Sequence, residues 1–369
     1  MNSQGAKKKV FVGMSGGVDS SVSAALLKEA GFDVTGVFIK VWQPPFMDGC
    51  TAKDDRQDAM RVAAQLGIPF KTLDLEKEYK KEVVDYMIAE YKAGRTPNPD
   101  VMCNRHVKFG AFLKWALREG AEYVATGHYA VNRELIINNQ ELECRLKESK
   151  DKNKDQTYFL WTLTQKQLKH ILFPVGHLTK PEVRILAKKF NLSTAGKKDS
   201  QGLCFIGKVD IKTFLGHFIK PKRGILLNQE GDIIGSHEGA WFYTIGQRHG
   251  FTVTKKTSSD SPYYVIAKNV KKNTLTVAHK NIEDKDFKTK IIRVSNINWI
   301  SSEKMPPHFV CFARFRYRQK LELCTMEKMS QGGVIVNFKK SQKRISNGQS
   351  IVFYKKGLCL GGGVIKAVL

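Results

Sequence analysis

Gly13-Met14-Ser15-Gly16-Gly17-Val18-Asp19-Ser20-Ser21 lies between an apolar run, Val10 to Met14, and a helical pattern, Ser20 to Ala30, that Gly31 closes. A strand, a glycine turn and a helix in that order open a βαβ unit. The loop is suited to an anion. Glycines at 16 and 17 let the backbone come close to a phosphate, Ser15, Ser20 and Ser21 offer hydroxyl donors, and the helix N-terminus adds the positive end of its dipole. No Gly-Lys-Ser/Thr follows, so this is not a Walker A loop, and GxGxxG is absent. A plain glycine turn with a Ser or Asp cap is the bland reading of the same residues.

Outward from the loop, strands and helices alternate. Val34 to Ile39 and Phe70 to Leu73 read as strands, and Asp54 to Leu66 and Glu76 to Lys92 as helices. Val107 to Glu119 is a further helix, and Tyr123 to Thr126 the strand after it. That order predicts a doubly wound parallel sheet with its ligand at the C-terminal strand edges. Gln43 to Lys53 and Gly94 to Arg105 interrupt the pattern; the density of proline in Thr96-Pro97-Asn98-Pro99-Asp100 predicts a fixed loop for the second. From Asp151 to Phe190 the pattern is helical, with a start at Lys180-Pro181-Glu182 and Val183, Leu186, Ala187 and Phe190 on one face.

After Lys208 short β-rich runs take over, at Gly224 to Asn228, Tyr263 to Lys268, Thr274 to Ala278, Lys290 to Val294, Phe309 to Arg318, Val334 to Phe338 and Ser350 to Tyr354. Closely spaced short strands suggest barrels or a sandwich. The expected domains are an α/β catalytic domain over 1–150, a small helical or mixed middle domain over 151–209 carrying a second distinctive cysteine, and a β-barrel region over 210–369.

The 369 residues carry a formal charge of +26. Residues 1–206 hold 32 basic against 24 acidic side chains, and residues 207–369 hold 29 against 11. The C-terminal part is therefore the better candidate for gripping a nucleic acid, although a lysine-rich solvated surface yields the same surplus. In Arg314, Arg316, Arg318 and Lys320, alternating with Phe315, Tyr317 and Gln319, strand period would put charge on one face. No stretch approaches the roughly 18 apolar residues of a membrane span, and Met1 to Lys9 is polar, so a soluble cytoplasmic protein without a membrane partner is expected.

Seven cysteines, an odd number without CxxC spacing or a nearby histidine pair, argue against a zinc site or a secreted disulfide framework. Two have distinctive surroundings: Asn98-Pro99-Asp100-Val101-Met102-Cys103-Asn104, and Asp199-Ser200-Gln201-Gly202-Leu203-Cys204-Phe205-Ile206. A persulfide can deliver sulfur to an electrophilic carbon while a second thiol resolves it as a disulfide. Arg105, His106 and Lys108 could favour a thiolate at Cys103. Cys50, Cys144, Cys311, Cys324 and Cys359 lack such context and read as packing or surface thiols.

At the loop the chain resembles the PP-loop pyrophosphatases, adenine nucleotide alpha-hydrolase-like proteins whose SGGxDS signature binds ATP and cleaves it to AMP and pyrophosphate while adenylating a substrate. The resemblance assigns Gly13, Met14, Ser15, Gly16, Gly17, Val18, Asp19 and Ser20 to the phosphates. Asp19 would also help hold Mg2+ brought with ATP, no further metal site being expected. Ile39 and the Thr126-Gly127-His128-Tyr129 turn would complete the nucleotide pocket.

The chain as a whole is similar to the bacterial tRNA-specific 2-thiouridylases, ATP-dependent tRNA sulfurtransferases that install sulfur on C2 of the wobble uridine. GMSGGVDSS, NPDVMC, ATGHYA, Lys154-Asp155-Gln156, DSQGLCFI, Ile245-Gly246-Gln247-Arg248 and Arg316-Tyr317-Arg318-Gln319 occur in the family order. The resemblance implies Cys103 as catalytic nucleophile and Cys204 as persulfide carrier, the two able to form a disulfide. Asn98, Pro99 and Asp100 would contact the target base, and Asp100 could manage the uridine proton. His128, Lys154, Asp155, Gln156, Arg316, Tyr317 and Gln349 would touch tRNA. Ile39 departs from the methionine common in the family, which a backbone contact to adenine tolerates. The partners implied are the tRNA anticodon region and a sulfur-relay or cysteine-desulfurase-derived persulfide donor, with a monomer as the default state.

Two other readings stay open at this level. A PP-loop amide- or amidine-forming ligase would turn over without Cys103 and Cys204. A basic RNA-binding or chaperone protein would release no pyrophosphate in response to tRNA.

Overall fold

The structure is a computed structural model that describes residues 7–46, 52–137, 141–198, 210–254, 261–279, 288–301 and 305–369. Its first strands are β1 (Lys9–Gly13), β2 (Asp33–Lys40), β3 (Phe70–Asp74) and β4 (Tyr123–Ala125); a hairpin, β5 (Ala130–Ile137) and β6 (Glu141–Glu148), and a short β7 (Ile171–Leu172) follow. One sheet runs in the order β3-β2-β1-β4-β7, parallel throughout. Val10, Phe11 and Val12 of β1 are fully buried, as a central strand covered on both faces requires. Helix α1 (Val18–Glu29) leaves the end of β1. Because β2 and β4 flank β1 on opposite sides, the loop at residues 13–17 sits at the switch point of the sheet, the expected place for a ligand.

The stretch after residue 150 is joined to this sheet rather than set apart from it. β7 forms the edge beside β4, with Ile171 opposite Val124, and the Lys180–Lys189 helix packs on α1. Val183 and Ala187 are buried there, with Leu186 and Phe190 against the same core, as their spacing predicts.

The prolines near residue 97 do not keep the whole interruption non-helical. Pro99 takes the first position of a helical turn, Pro99–Met102, where its missing N–H has no partner to lose. Asn98 caps that turn, its Oδ1 accepting from the Val101 amide at 3.2 Å. The helix continues through a π-helical segment, Cys103–Phe112, into Leu113–Arg118. It thus starts eight residues before Val107, and Cys103 is the first residue of the π segment.

The rest of the chain is β. Strands β8 (Gly224–Leu227), β9 (Ile233–His237), β10 (Thr252–Val253), β11 (Tyr263–Asn269) and β12 (Thr274–His279) form a sheet in the order β10-β9-β8-β12-β11. The last six are β13 (Lys288–Trp299), β14 (His308–Arg314), β15 (Glu322–Lys328), β16 (Val334–Lys343), β17 (Ser350–Lys355) and β18 (Leu358–Val368). They run β13-β16-β15-β14-β17-β18 and close through a β13–β18 pairing into a barrel, to which the β5–β6 hairpin is attached at β18. Val294, Val336, Phe338, Ile351 and Phe353 fill it. Cys311 and Cys324 face each other inside with sulfurs 3.7 Å apart, and Cys144 and Cys359 are buried as well.

Residues 314–320 do not continue β14 with alternating faces. The strand stops at Arg314, which is buried, and Arg318 adopts a left-handed φ of 63°. The bland face of charges over a core stripe is therefore absent: the segment turns, and each side chain finds its own surroundings. All three parts of the chain meet at Thr96, whose N–H donates to the Asn347 carbonyl at 2.8 Å and whose hydroxyl lies 3.2 Å from that of Thr244.

Candidate active site

The loop after β1 is held open by its own hydrogen bonds. The Ser15 amide donates to Ser20 Oγ at 3.2 Å, and the hydroxyls of Ser20 and Ser21 donate to the Gly17 carbonyl at 3.1 and 2.8 Å. Met14 N–H bonds the Val37 carbonyl at 2.8 Å, which ties the loop to β2 two residues before Ile39. Gly16 has a φ of 72°, and a Cβ there would collide with the backbone of Asp55. Gly127 lies against the start of α1 so closely that a Cβ would be 2.6 Å from the Ser20 amide nitrogen. The predicted loop residues and the 126–129 turn are thus neighbours.

Asp19 projects from the first turn of α1 and is gripped from two sides. Lys180 Nζ donates to its two carboxylate oxygens at 2.7 and 2.8 Å, and the Tyr129 hydroxyl donates to Oδ1 at 2.8 Å. Neither partner carried a role of its own in the sequence. Tyr129 was visible only as part of a turn and Lys180 only as a helix start, and the signal for the pairing is spatial, since Lys180 is 161 residues away.

Cys103 is buried at 6% exposure, just past the helical turn that Asn98 caps. Asp100, half-buried just before it, has its pKa raised by burial, against which the Lys108 ammonium acts. The same Lys108 helps burial hold His128 well below the usual imidazole value, so Asp100, Lys108 and His128 share one electrostatic neighbourhood. His128 is buried, with Nδ1 2.8 Å from Thr126 Oγ1 and its ring beside Phe109 and Phe173. His106 is a poorer aid to a thiolate than its charge type suggests. Burial and Arg105 lower its pKa, and it faces Glu82 at 3.6 Å.

The residues expected to touch tRNA separate into two groups. Tyr317, Lys154 and Arg316 cluster near Asn98: the Tyr317 hydroxyl reaches the Lys154 carbonyl at 3.5 Å, its ring lies 4.8 Å from that of Phe159, and Arg316 donates to the Arg344 carbonyl. The Tyr158 hydroxyl ties them together, lying 3.0 Å from the Phe315 carbonyl and 3.1 Å from that of Ser350, next to Gln349, with the Asn98 side chain as a further partner. Asp155 and Gln156 are internal struts instead. Asp155 is 1% exposed, pairs with Arg314 and accepts from the Thr157 hydroxyl at 2.8 Å, so its carboxylate has no face to offer an RNA. Gln156 Oε1 accepts from the Tyr129 amide at 2.9 Å and so holds the 126–129 turn. The Asp199–Ile206 segment with Cys204 lies outside the described residues, as does Cys50.

The family profile described as the tRNA methyl transferase HUP domain matches residues 8–208. The tRNA methyl transferase PRC-barrel domain matches 212–279 and the aminomethyltransferase beta-barrel domain 289–365. Over 369 residues, all of this chain and 97% of the relative, it is 45% identical to tRNA-specific 2-thiouridylase MnmA 2 of Geobacillus kaustophilus (strain HTA426). The chain belongs to the tRNA-specific 2-thiouridylase family. A second 2-thiouridylase, MnmA of Halalkalibacterium halodurans, is 47% identical over 98% of this chain and 95% of its own. Among solved structures, the U34-tRNA thiolase NcsA of Methanococcus maripaludis aligns over 54% of this chain and 63% of its own, at 19% identity and a TM-score of 0.37. Within the 2-thiouridylase architecture the β-rich second half is thus two modules, the PRC-barrel sheet β8–β12 and the closed barrel β13–β18. Among the described residues no helix is long and apolar enough to cross a membrane, and no group of three or more acidic, His or Cys side chains could hold a metal ion.

Proposed function

We propose that the chain adenylates the C2 carbonyl oxygen of the wobble uridine of tRNA with ATP and replaces that oxygen by sulfur. The observation that carries the reading is the meeting of three parts around the Thr96–Cys103 turn, which supports a site where a tRNA lying on the barrel presents its base to this turn, to Cys103 and to the nucleotide loop. The loop amides and the α1 N-terminus would take the phosphates, with Ile39 and the Gly127 turn on the adenine side. The Asp19 carboxylate, 31% exposed on the loop, suits a magnesium ion arriving with ATP, which would neutralise phosphate charge.

In this scheme the uridine oxygen attacks the α-phosphorus of ATP and pyrophosphate leaves. The terminal sulfur of a Cys204 persulfide attacks C2, and AMP departs with the oxygen. The Cys103 thiolate then attacks Cys204 Sγ, breaking the S–S bond and releasing 2-thiouridine; a disulfide between the two cysteines remains for an external thiol to reduce. Asn98, Pro99 and Asp100 would frame a flipped-out base, and Lys154, Arg316, Tyr317 and Gln349 the surrounding anticodon strand. Asp155, Gln156 and the buried His128 act by holding these elements. The reading leaves the cell compartment as cytoplasm, the donor as any persulfide carrier able to load Cys204, and the enzyme as a monomer on one tRNA.

Mass spectrometry of nucleosides tests it. Purified protein with tRNA, Mg-ATP and a persulfide source is expected to form 2-thiouridine, and a Cys204→Ala variant is expected to form none. ATP cleavage with no thiolated base would move the search to another acceptor, and unchanged thiolation in the variant would refute the persulfide step.

A further inference from the structure

We infer that Lys180 is the counter-charge of the phosphate loop, a positioning residue that keeps Asp19 from repelling the phosphates of ATP; the inference rests on the ATP reading above. The loop from Gly13 to Ser21 carries a single charged side chain, Asp19, and its sign is wrong for a polyphosphate. A Walker A loop solves the charge problem with its own lysine, which this loop lacks. Here the cation comes from the Lys180–Lys189 helix, and it engages both oxygens of Asp19 rather than lying loosely nearby.

The lysine is placed with care. Its backbone N–H donates to Asp151 Oδ2 at 2.9 Å, and Thr179 and Glu182 close a capping box around it, the Thr179 amide donating to Glu182 at 2.6 Å. The Lys180 side chain is 11% exposed against 31% for Asp19, so the ammonium is the more deeply buried member of the pair. Tyr129 holds the same Oδ1 without contributing charge. The two clamps therefore separate geometry from electrostatics: removing Tyr129 loosens Asp19, whereas removing Lys180 leaves a bare negative charge at the phosphate site.

Calorimetric binding of ATP and of adenosine, each in EDTA so that no magnesium intervenes, tests this on the full chain. Lys180→Met is expected to weaken ATP roughly tenfold or more and to leave adenosine unchanged, with the deficit shrinking as salt rises. Lys180→Arg is expected to keep most of the affinity, Tyr129→Phe to lose less than Lys180→Met, and the double variant Asp19→Asn with Lys180→Met to recover ATP binding. Unchanged ATP affinity in Lys180→Met overturns the inference, as does an equal loss for adenosine or a double variant that fails to recover. If the unaltered protein binds no ATP even when magnesium is added back, the ATP reading and this inference fall together; ATP bound only with magnesium, or any of the other contrary results, sinks the inference alone.

Discussion

Asp100 is pulled in two directions, up by burial and down by the Lys108 ammonium, and burial prevails. A carboxylate whose folded pKa is raised adds stability below its unfolded pKa and loses it as pH climbs through the folded value. The charged form at neutral pH is thus a cost that the fold carries. Asp100→Asn is expected to raise the melting temperature at pH 7 while lowering thiolation by roughly a hundredfold or more, the scale of a lost acid or base. If Asp100 acts as the base, the acid limb of kcat/KM in the unaltered enzyme lies above the ordinary carboxylate range and vanishes in the variant. A variant that is both less stable and fully active would contradict this assignment. Cys103 stood out in the sequence through the motif around it, and Asn98 only through the family resemblance that NPDVMC carries; Tyr129 and Lys180 did not, since a tyrosine in a turn and a lysine at a helix start announce nothing until the fold brings both to Asp19.

Between elements, the contact that most needs explaining is the buried pair of Asp155 and Arg314, which fastens the loop after β6 to the end of β14. Arg314 also donates to the Tyr354 hydroxyl at 2.8 and 3.0 Å and to Thr157 Oγ1 at 3.2 Å, so the two charges lie in a buried hydrogen-bonded network. Removing one partner strands the other charge: Arg314→Met is expected to destabilise by about 3 to 5 kcal/mol in denaturant titrations, and adding Asp155→Leu to restore part of the loss. A change below about 1 kcal/mol would mean that water reaches Asp155, as for a surface pair. The sequence showed the parallel sheet and most barrel strands through their apolar runs. The β5–β6 hairpin went unread although Glu141 to Lys147 alternates charged and apolar residues at strand period, and the helical turn at Pro99 was hidden because proline's veto on helix lapses in the first turn. Arg314 read as one more surface charge, since periodicity cannot report that a strand ends.

At the scale of the molecule, the sheet carries the 13–21 loop, the long helix carries Cys103, and the β8–β12 module and the closed barrel both meet the α/β domain at Thr96. The charge surplus after residue 206 suggested a polyanionic partner and the order of the motifs a resemblance; neither could reveal that Tyr317 lies beside Lys154, or Asn98 beside Tyr158, which depends on long-range packing. Single-turnover stoichiometry tests the central claim most directly. Protein preloaded with one persulfide on Cys204 is mixed with excess tRNA and Mg-ATP, and AMP, 2-thiouridine and the Cys103–Cys204 disulfide are counted together. The expected result is one of each per persulfide consumed, with Cys103→Ser forming AMP but releasing no 2-thiouridine; thiolation that proceeds at full yield in Cys103→Ser, or AMP formed with no sulfur transferred by the unaltered protein, would contradict the account.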